Sequence, residues 1–391
     1  MTALPQGFSA HVAAIGIKDD TDDFLVLAAE RTCSAAAVFT RSRFVGPSVT
    51  LSRAHVADHQ LRAVVVVSKN ANVATGEQGA SDAAELAAGV ATAIGCPTDD
   101  VLVASTGVIG RPYPMPRIRH HLATLASVST PFAITEAEPA AAAIMTTDTV
   151  AKVASTTCAT LDGGVAKIVG IAKGVGMIEP DMATLLAFFL TDAAVDASEL
   201  DACFRRVIDR TLNAVSIDTD TSTSDTAAML ASGLAGPVAL DPFEEALAEV
   251  ALSLTLQIAR DGEGATTLIE VRVDGARDDD QARRVAKVIV NSPLVKTAVH
   301  GADPNWGRVA MAIGKCADDT DIDQERVTIR FGADEVYPHL LADESLAKLS
   351  SYLEGDDVLI HVSLGIASGR FTAYGCDLTD GYVRINADYT T

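Results

Sequence analysis

Three short apolar runs constrain this chain more than any other feature. Residues 63–67 read AVVVV, 101–104 read VLVA, and 185–190 read LLAFFL, each bounded by polar or glycine-containing segments. Runs of this length between turn signals are strands buried on both faces. Such strands need cover from both sides, which predicts layered α/β architecture. The covering helices are legible. Ser81 to Ile94 has helical composition. Leu200, Cys203, Phe204, Val207, Ile208 and Leu212 form an apolar stripe at helical spacing, with Ser198 and Asp201 at capping-box spacing before it. Phe243, Leu247, Val250, Leu254 and Ile258 form another, opened by Asp241-Pro242 with proline expected at its first position. "DDDQARRVAKVIV" places acids at a helix start, where the dipole favours them. "DDFLVLAAE" and "SAAAVFTRS" read as two strands joined through polar residues, and "TLIEVRVDG", "RVTIRFG", "DVLIHVSLG" and "RFTAYGCDLT" as further strands. No internal repeat is visible, and the best candidate boundary lies near residue 183.

Charge narrows the partners. The 391 residues carry 52 acids against 30 bases, a net charge of −22. Nucleic acid and anionic membranes are disfavoured, because their affinity rests on lysine and arginine. Small zwitterionic substrates are not, since they meet a local site and not the average field. No apolar run approaches the ~18 residues of a membrane helix. No secretory signal is visible, so a cytoplasmic location is expected. The six cysteines form no C-x-x-C pair, so neither zinc nor a disulfide framework is expected. "KDDTDDF" lacks calcium-loop spacing and reads as a solvated turn. "KGVG" and "DGEG" complete no nucleotide-binding pattern, and no G-x-S-x-G elbow is present. His120 and His121 are expected on a helix surface. His300 either lines a site or is structural.

Two segments suggest acyl chemistry. "DVLVASTGVIG" ends a buried strand at Thr106-Gly107, where a hydroxyl and an approachable N–H could hold an oxyanion; a plain strand-to-loop turn is the alternative. In "KGVGMIEPDMATLLAFFL" a threonine, Thr184, stands where a loop meets a buried strand. It is either a strand-start residue or a nucleophile. A threonine hydroxyl needs a base, and its own α-amine serves once the residue begins a chain. With an ordinary pKa of about 7.7–8.0, that amine is substantially neutral near physiological pH. This arrangement requires cleavage between Ala183 and Thr184.

"KGVGMIEPDMATLLAFF" resembles the cleavage-site signature of the ornithine acetyltransferases, also called glutamate N-acetyltransferases, of arginine biosynthesis. "FTRSRFVGPSV", "KNANVATG", "STGVIG", "IMTTDT", "SIDTDTSTSDT", "DGEGAT", "NSPLVKTAVHGADPNWGRV" and "VRINADYTT" resemble family segments in the same order, over nearly the whole chain. The sequence looks closer to the variants of clavulanic-acid-type gene clusters than to the common arginine-pathway enzyme.

The resemblance implies an N-terminal-nucleophile-type α/β fold with stacked sheets and flanking helices. It implies self-cleavage into an α fragment, 1–183, and a β fragment, 184–391, associated as α2β2. It implies ping-pong transfer of acetyl from N2-acetylornithine to glutamate through Thr184, with Thr106 and Gly107 as the oxyanion pair and no cofactor or metal. Thr146, Lys173, Thr184, Glu263, Asn386 and Thr391 match the family's substrate contacts; Arg308 is a weaker candidate. Two departures stand out. Thr267 replaces a lysine common after "DGEGAT", and Lys69 stands where many members carry a small glycine-like residue. Both bear on substrate preference more than on reaction type. An N-terminal-nucleophile aminopeptidase, a bifunctional enzyme also using acetyl-CoA, and an uncut binding protein are the alternatives.

Overall fold

The computed structural model describes residues 1–128, 132–179, 185–339 and 343–388. The first sheet is built from β1 (Phe8–Ala13), β2 (Phe24–Phe39), β3 (Gln60–Val67), β4 (Val101–Ser105), β5 (Lys152–Ala159), β6 (Val165–Lys173), β7 (Leu186–Ala194) and β8 (Thr226–Pro237). Its order is β4-β3-β2-β8-β7-β6-β5, with β1 alongside β2. The β3–β4 and β7–β8 pairs are parallel and the others antiparallel. The second sheet comprises β9 (Leu268–Ala276), β10 (Thr328–Phe331), β11 (Asp334–Tyr337), β12 (Asp357–Ser363) and β13 (Gly369–Cys376), in the order β11-β10-β12-β9-β13. Only β9 and β12 run parallel within it. The helices are α1 (Pro47–His55), α2 (Gly76–Ile94), α3 (Met115–Ser127), α4 (Ala137–Ala143), α5 (Ala197–Arg210), α6 (Leu240–Arg260), α7 (Asp279–Val290), α8 (Pro293–His300), α9 (Trp306–Ile313), α10 (Asp343–Leu353) and α11 (Asp380–Asp388). The fold is mixed α/β with flanking helices, as the apolar runs require.

Those runs are apolar throughout because alternate side chains enter different cores. Leu25, Leu27, Val64, Val66, Phe188 and Leu190 share one core, with α4 over them. Phe24, Val26, Val65 and Val67 point the other way, under α2 and α3. Ala187 and Phe189 meet the stripes of α5 and α6. The second sheet has its own core beneath α7, α8 and α9. The stretches before and after residues 180–184 interleave, since β8 lies between β2 and β7. No described helix is long and apolar enough to cross a membrane.

Several local readings are corrected. The two early strands are one, β2, with a register shift between Ala28 and Cys33 against β3. Its polar residues Glu30, Arg31 and Thr32 sit exposed in that irregular stretch. The α5 cap is Asp196, whose side chain accepts from the N–H groups of Ser198 and Glu199. Asp201 instead pairs with Arg205 one turn on. Helix α6 starts at Leu240, so Pro242 is its third residue. His121 is half-buried and not on an open helix face: its Nε2 lies 3.0 Å from His11 Nε2, and its ring packs edge-on to Phe24.

Two measurements check this packing. Phe189 and Phe204 meet edge to face with ring centroids 5.6 Å apart, and both are fully buried. Phe204→Ala is expected to lower unfolding free energy by about 3–5 kcal/mol, read by urea titration. Burial, together with the charges of His11 and His120, pushes the His121 imidazole down from 6.5 to about 4. The fold holds it neutral, whereas the unfolded chain takes a proton near 6.5. Stability from this group is therefore full above pH 6.5 and lost as pH falls toward 4. His121→Phe should flatten that part of the pH–stability curve.

Candidate active site

A cavity of about 440 Å³ gathers Thr106, Gly107, Thr146, Lys173, Glu263 and Asn386. Ala183, Thr184 and Thr391 lie outside the described residues; Leu185, which follows Thr184 in the chain, also lines the cavity.

The Thr106-Gly107 corner is built by two loops bracing each other. Thr106 N–H donates to Val67 O at 3.2 Å, and Ala71 N–H to Val108 O at 3.0 Å. Asn70 Nδ2 donates to Pro112 O at 3.0 Å. Ser105 is anchored by the Ser48 hydroxyl at 2.7 Å and that of Tyr113 at 2.8 Å. Gly107 has φ +126°, and a Cβ there would lie 2.3 Å from the Lys69 carbonyl carbon. Glycine is therefore required by both conformation and close approach. Thr106 and Gly107 both line the cavity, and Thr106 is bridged to Asn70 across the corner. A hydroxyl and a backbone N–H at one corner of a cavity are the donor types that oxyanion binding needs.

Lys69, one of the departures, is left-handed with φ 68°. That backbone favours glycine. Here the side chain reaches Asp19 at 2.6 Å and the Thr21 hydroxyl, so the acidic turn acquires a partner. The Lys69 hydrogen bond, followed by those from Thr21, holds the Asp19 carboxyl far below the usual carboxylate value.

Lys173 ends β6 and is 8 % exposed. Its ammonium lies 3.9 Å from Asp148 Oδ2. Asp148 also accepts from Gly174 N–H at 2.7 Å, from Thr146 N–H at 3.2 Å and from Lys152 Nζ at 2.8 Å. Lys152 is fully buried and pairs with Asp261 at 2.5 Å, and Asp261 holds Thr149 through its N–H and hydroxyl. Burial pushes the Asp148 carboxyl up, but the Lys173 and Lys152 charges outweigh it and hold it below its ordinary value. One buried network thus fixes Lys173, the Thr146 turn and the approach to Glu263, two residues after Asp261.

Glu263 accepts from Asn386 Nδ2 at 2.8 Å and from the Thr147 hydroxyl at 3.1 Å. A Cβ on Gly176 would meet its Oε2 at 2.6 Å, so a larger residue there would displace the Glu263 carboxylate. That loop is stapled by Asp218, which accepts from Met177 N–H at 2.6 Å and Ile178 N–H at 2.8 Å. Asn386 is carried by α11, a helix that the sequence reading did not assign in the closing segment. The cavity therefore has a cationic pole at Lys173 and an anionic pole at Glu263, with Thr106 and Gly107 in its lining.

Sequence reasoning missed Thr147, Asp148, Lys152 and Asp225. Asp148 and Asp225 lie inside segments it had quoted, "IMTTDT" and "SIDTDTSTSDT", but nothing in their spacing separates a turn aspartate from a cavity one. Two candidates fall away from the cavity. Arg308 donates to Leu294 O at 2.7 Å and the Thr297 hydroxyl at 3.2 Å, tying α9 to α8. His300 Nδ1 sits 3.0 Å from Asp377 Oδ2, and Asp377 also accepts from Thr266 and Thr267 N–H. Both are structural. Among the described residues no cluster of His, Cys, Asp or Glu suits a metal, and all six cysteines are free.

Gly107→Ala should separate the two braced loops and cost about 1–3 kcal/mol of stability, measured by urea titration.

Comparison with known proteins gives a consistent relationship. The model of the ArgJ family matches residues 9–391. Glutamate N-acetyltransferase Oat2 of Streptomyces clavuligerus is 61% identical over 393 residues, covering 99% of this chain and 98% of that protein. Among solved structures, the arginine biosynthesis bifunctional protein ArgJ of Bacillus halodurans is 42% identical with a TM-score of 0.47, covering 51% of this chain and 96% of that one. The ornithine acetyltransferase of Mycobacterium tuberculosis, complexed with ornithine, is 32% identical with a TM-score of 0.40, covering 46% and 96%. With a family match over almost its full length, and a curated relative at well over half identity, the chain belongs to the ArgJ family.

Proposed function

We propose that this chain, a glutamate N-acetyltransferase of the ArgJ family, moves the acetyl group of N2-acetylornithine to glutamate through an acetyl-threonine at Thr184. The observation that carries the reading is the convergence of Thr106, Gly107, Lys173, Glu263 and Leu185 on one cavity. The chain is cut between Ala183 and Thr184, and the freed α-amine becomes the base for the Thr184 hydroxyl. The interleaving of β8 between β2 and β7 supports continued association of the two pieces; the α2β2 assembly is what the family resemblance implies.

The donor's carboxylate meets Lys173, a buried ammonium whose charge is little screened. Its side-chain ammonium meets Glu263, oriented by Asn386 and Thr147; Thr146 and Thr391 complete the contacts. The Thr184 oxygen attacks the acetyl carbonyl as its proton passes to the α-amine. The oxyanion takes hydrogen bonds from the Thr106 hydroxyl and the Gly107 N–H, each donor of this kind contributing about 3 kcal/mol. The carbon–nitrogen bond breaks, ornithine departs, and the acetyl group stays on Thr184 as an ester. Glutamate then attacks the ester and leaves as N-acetylglutamate. Thr267, in place of a basic residue, has its backbone N–H on Asp377 and its hydroxyl 3.5 Å from Gly355 O; the change removes a positive charge and leaves the acyl chemistry alone.

Intact-mass measurement tests the whole sequence of events. The purified protein should give two pieces, residues 1–183 and 184–391, and N-acetylornithine should add one acetyl group to the second. Thr184→Ala should remain a single chain and lose transfer entirely. Fragments from that variant, or an acetyl adduct on the first piece, would overturn the assignment.

A further inference from the structure

Asp225 immediately precedes β8 and is 2 % exposed. The parallel ladder pairs Leu186 with Thr226, and Thr226 N–H donates to Leu185 O at 3.0 Å. Asp225 therefore lies beside Leu185, one peptide bond from Thr184. It lines the cavity together with Thr106, Gly107 and Lys173. Among the described residues its Oδ2 is buried without a hydrogen-bond partner. Leaving such an atom unmet costs free energy, and a catalytic role is one of the explanations for such a group. Burial pushes the Asp225 carboxyl well above its ordinary value; the Ser222 hydroxyl, the Lys173 charge and the Thr40 hydroxyl oppose this without prevailing. The group is thus a neutral acid at pH values where an ordinary aspartate has ionised.

We propose that Asp225 is a further catalytic residue, which carries the proton that the reacting amine nitrogen of the substrate gains and then loses. The proposal rests on the assignment of Thr184 as nucleophile. In the first half-reaction the Thr184 oxygen–carbon bond forms and the amide carbon–nitrogen bond breaks. The hydroxyl proton goes to the Thr184 α-amine, and the departing nitrogen takes its proton from Asp225. The acetyl-enzyme then holds an α-ammonium and an Asp225 carboxylate, an ion pair inside the cavity. In the second half-reaction the acceptor nitrogen bonds to the acetyl carbon and gives its proton back to Asp225. The Thr184 oxygen leaves and recovers its proton from the α-ammonium. Both groups return to their starting forms, and no proton is exchanged with water during transfer. A single base can also pass one proton from the nucleophile's oxygen to the leaving nitrogen; the two-group scheme differs in giving the nitrogen's proton to the buried carboxyl beside Leu185.

Asp225→Asn keeps the shape and removes the acid. Acetylation of the 184–391 piece is followed by rapid-quench intact mass with two donors. N-acetylornithine has a leaving amine that must be protonated. p-Nitrophenyl acetate has a leaving phenolate that needs no proton. The variant should lose about 100-fold or more with the amide donor, the range of general acid catalysis, and only a few-fold with the ester. The parent's rate with the amide donor should fall at high pH as Asp225 ionises, and that limb should vanish in the variant. Equal losses with both donors would mean a structural role and overturn the proposal, as would an unchanged rate. An uncut Asp225→Asn chain would also overturn it, by placing the carboxyl in cleavage and not in transfer. If the ester leaves no acetyl on the parent's 184–391 piece, the nucleophile assignment itself falls, an outcome separate from any result with the variant.

Discussion

The parallel ladder between β7 and β8 is the constraint on which the cavity depends. It sits in the middle of the first sheet and aligns four strands in one row: Lys173 of β6 opposite Leu186 of β7, Leu186 opposite Thr226 of β8, and Thr226 opposite Phe39 of β2. A strand slipped by one residue turns every side chain to the other face. Here that would send Phe188 and Phe189 into each other's cores and carry the two ends of the row out of reach. The apolar sequence of β7 therefore fixes more than stability. It fixes which charged residues stand next to Leu185.

Around that row the cavity solves an electrostatic problem locally. The chain as a whole carries a charge of −22, yet the substrates proposed for it bear carboxylates. Lys173 overcomes the unfavourable average field because it is nearly buried and close to any bound ligand, where distance and low polarity favour it over many remote, screened acids. Glu263 lies across the cavity and is oriented by Asn386 from α11 and Thr147 from the turn before β5. The two poles reach the site from distant parts of the sequence and are held in register by the framework beneath them.

How much of this was legible in the sequence follows from what each residue type reveals. The strands and amphipathic helices were legible because apolar periodicity reports burial directly. The stripe Leu200, Cys203, Phe204, Val207, Ile208 and Leu212 is entirely buried. The continuity of β2 was not, since Glu30, Arg31 and Thr32 look like a turn and occupy a bulged stretch of one strand. The helix carrying Asn386 has no buried residue among those described, so no apolar stripe announced it. At the site, the resemblance found the groups expected to touch substrate. It could not find Asp148, Lys152 or Asp225, whose importance lies in what is folded against them. An aspartate in a hydroxyl-rich segment reads as a turn until the tertiary structure buries it.

The network joining Lys173, Asp148, Lys152 and Asp261 has a consequence for how this chain can change over generations. Its members are nearly dry, so removing one leaves an opposite charge stranded, a loss of several kcal/mol. Replacing the set together by apolar side chains of similar volume can be nearly neutral for folding. The route between these two sequences passes through single variants that fold poorly, and the effects of the four positions are far from additive. Drift at the surface is free to rewrite the acidic exterior one residue at a time. The ground beneath the substrate poles changes in concert or stays as it is.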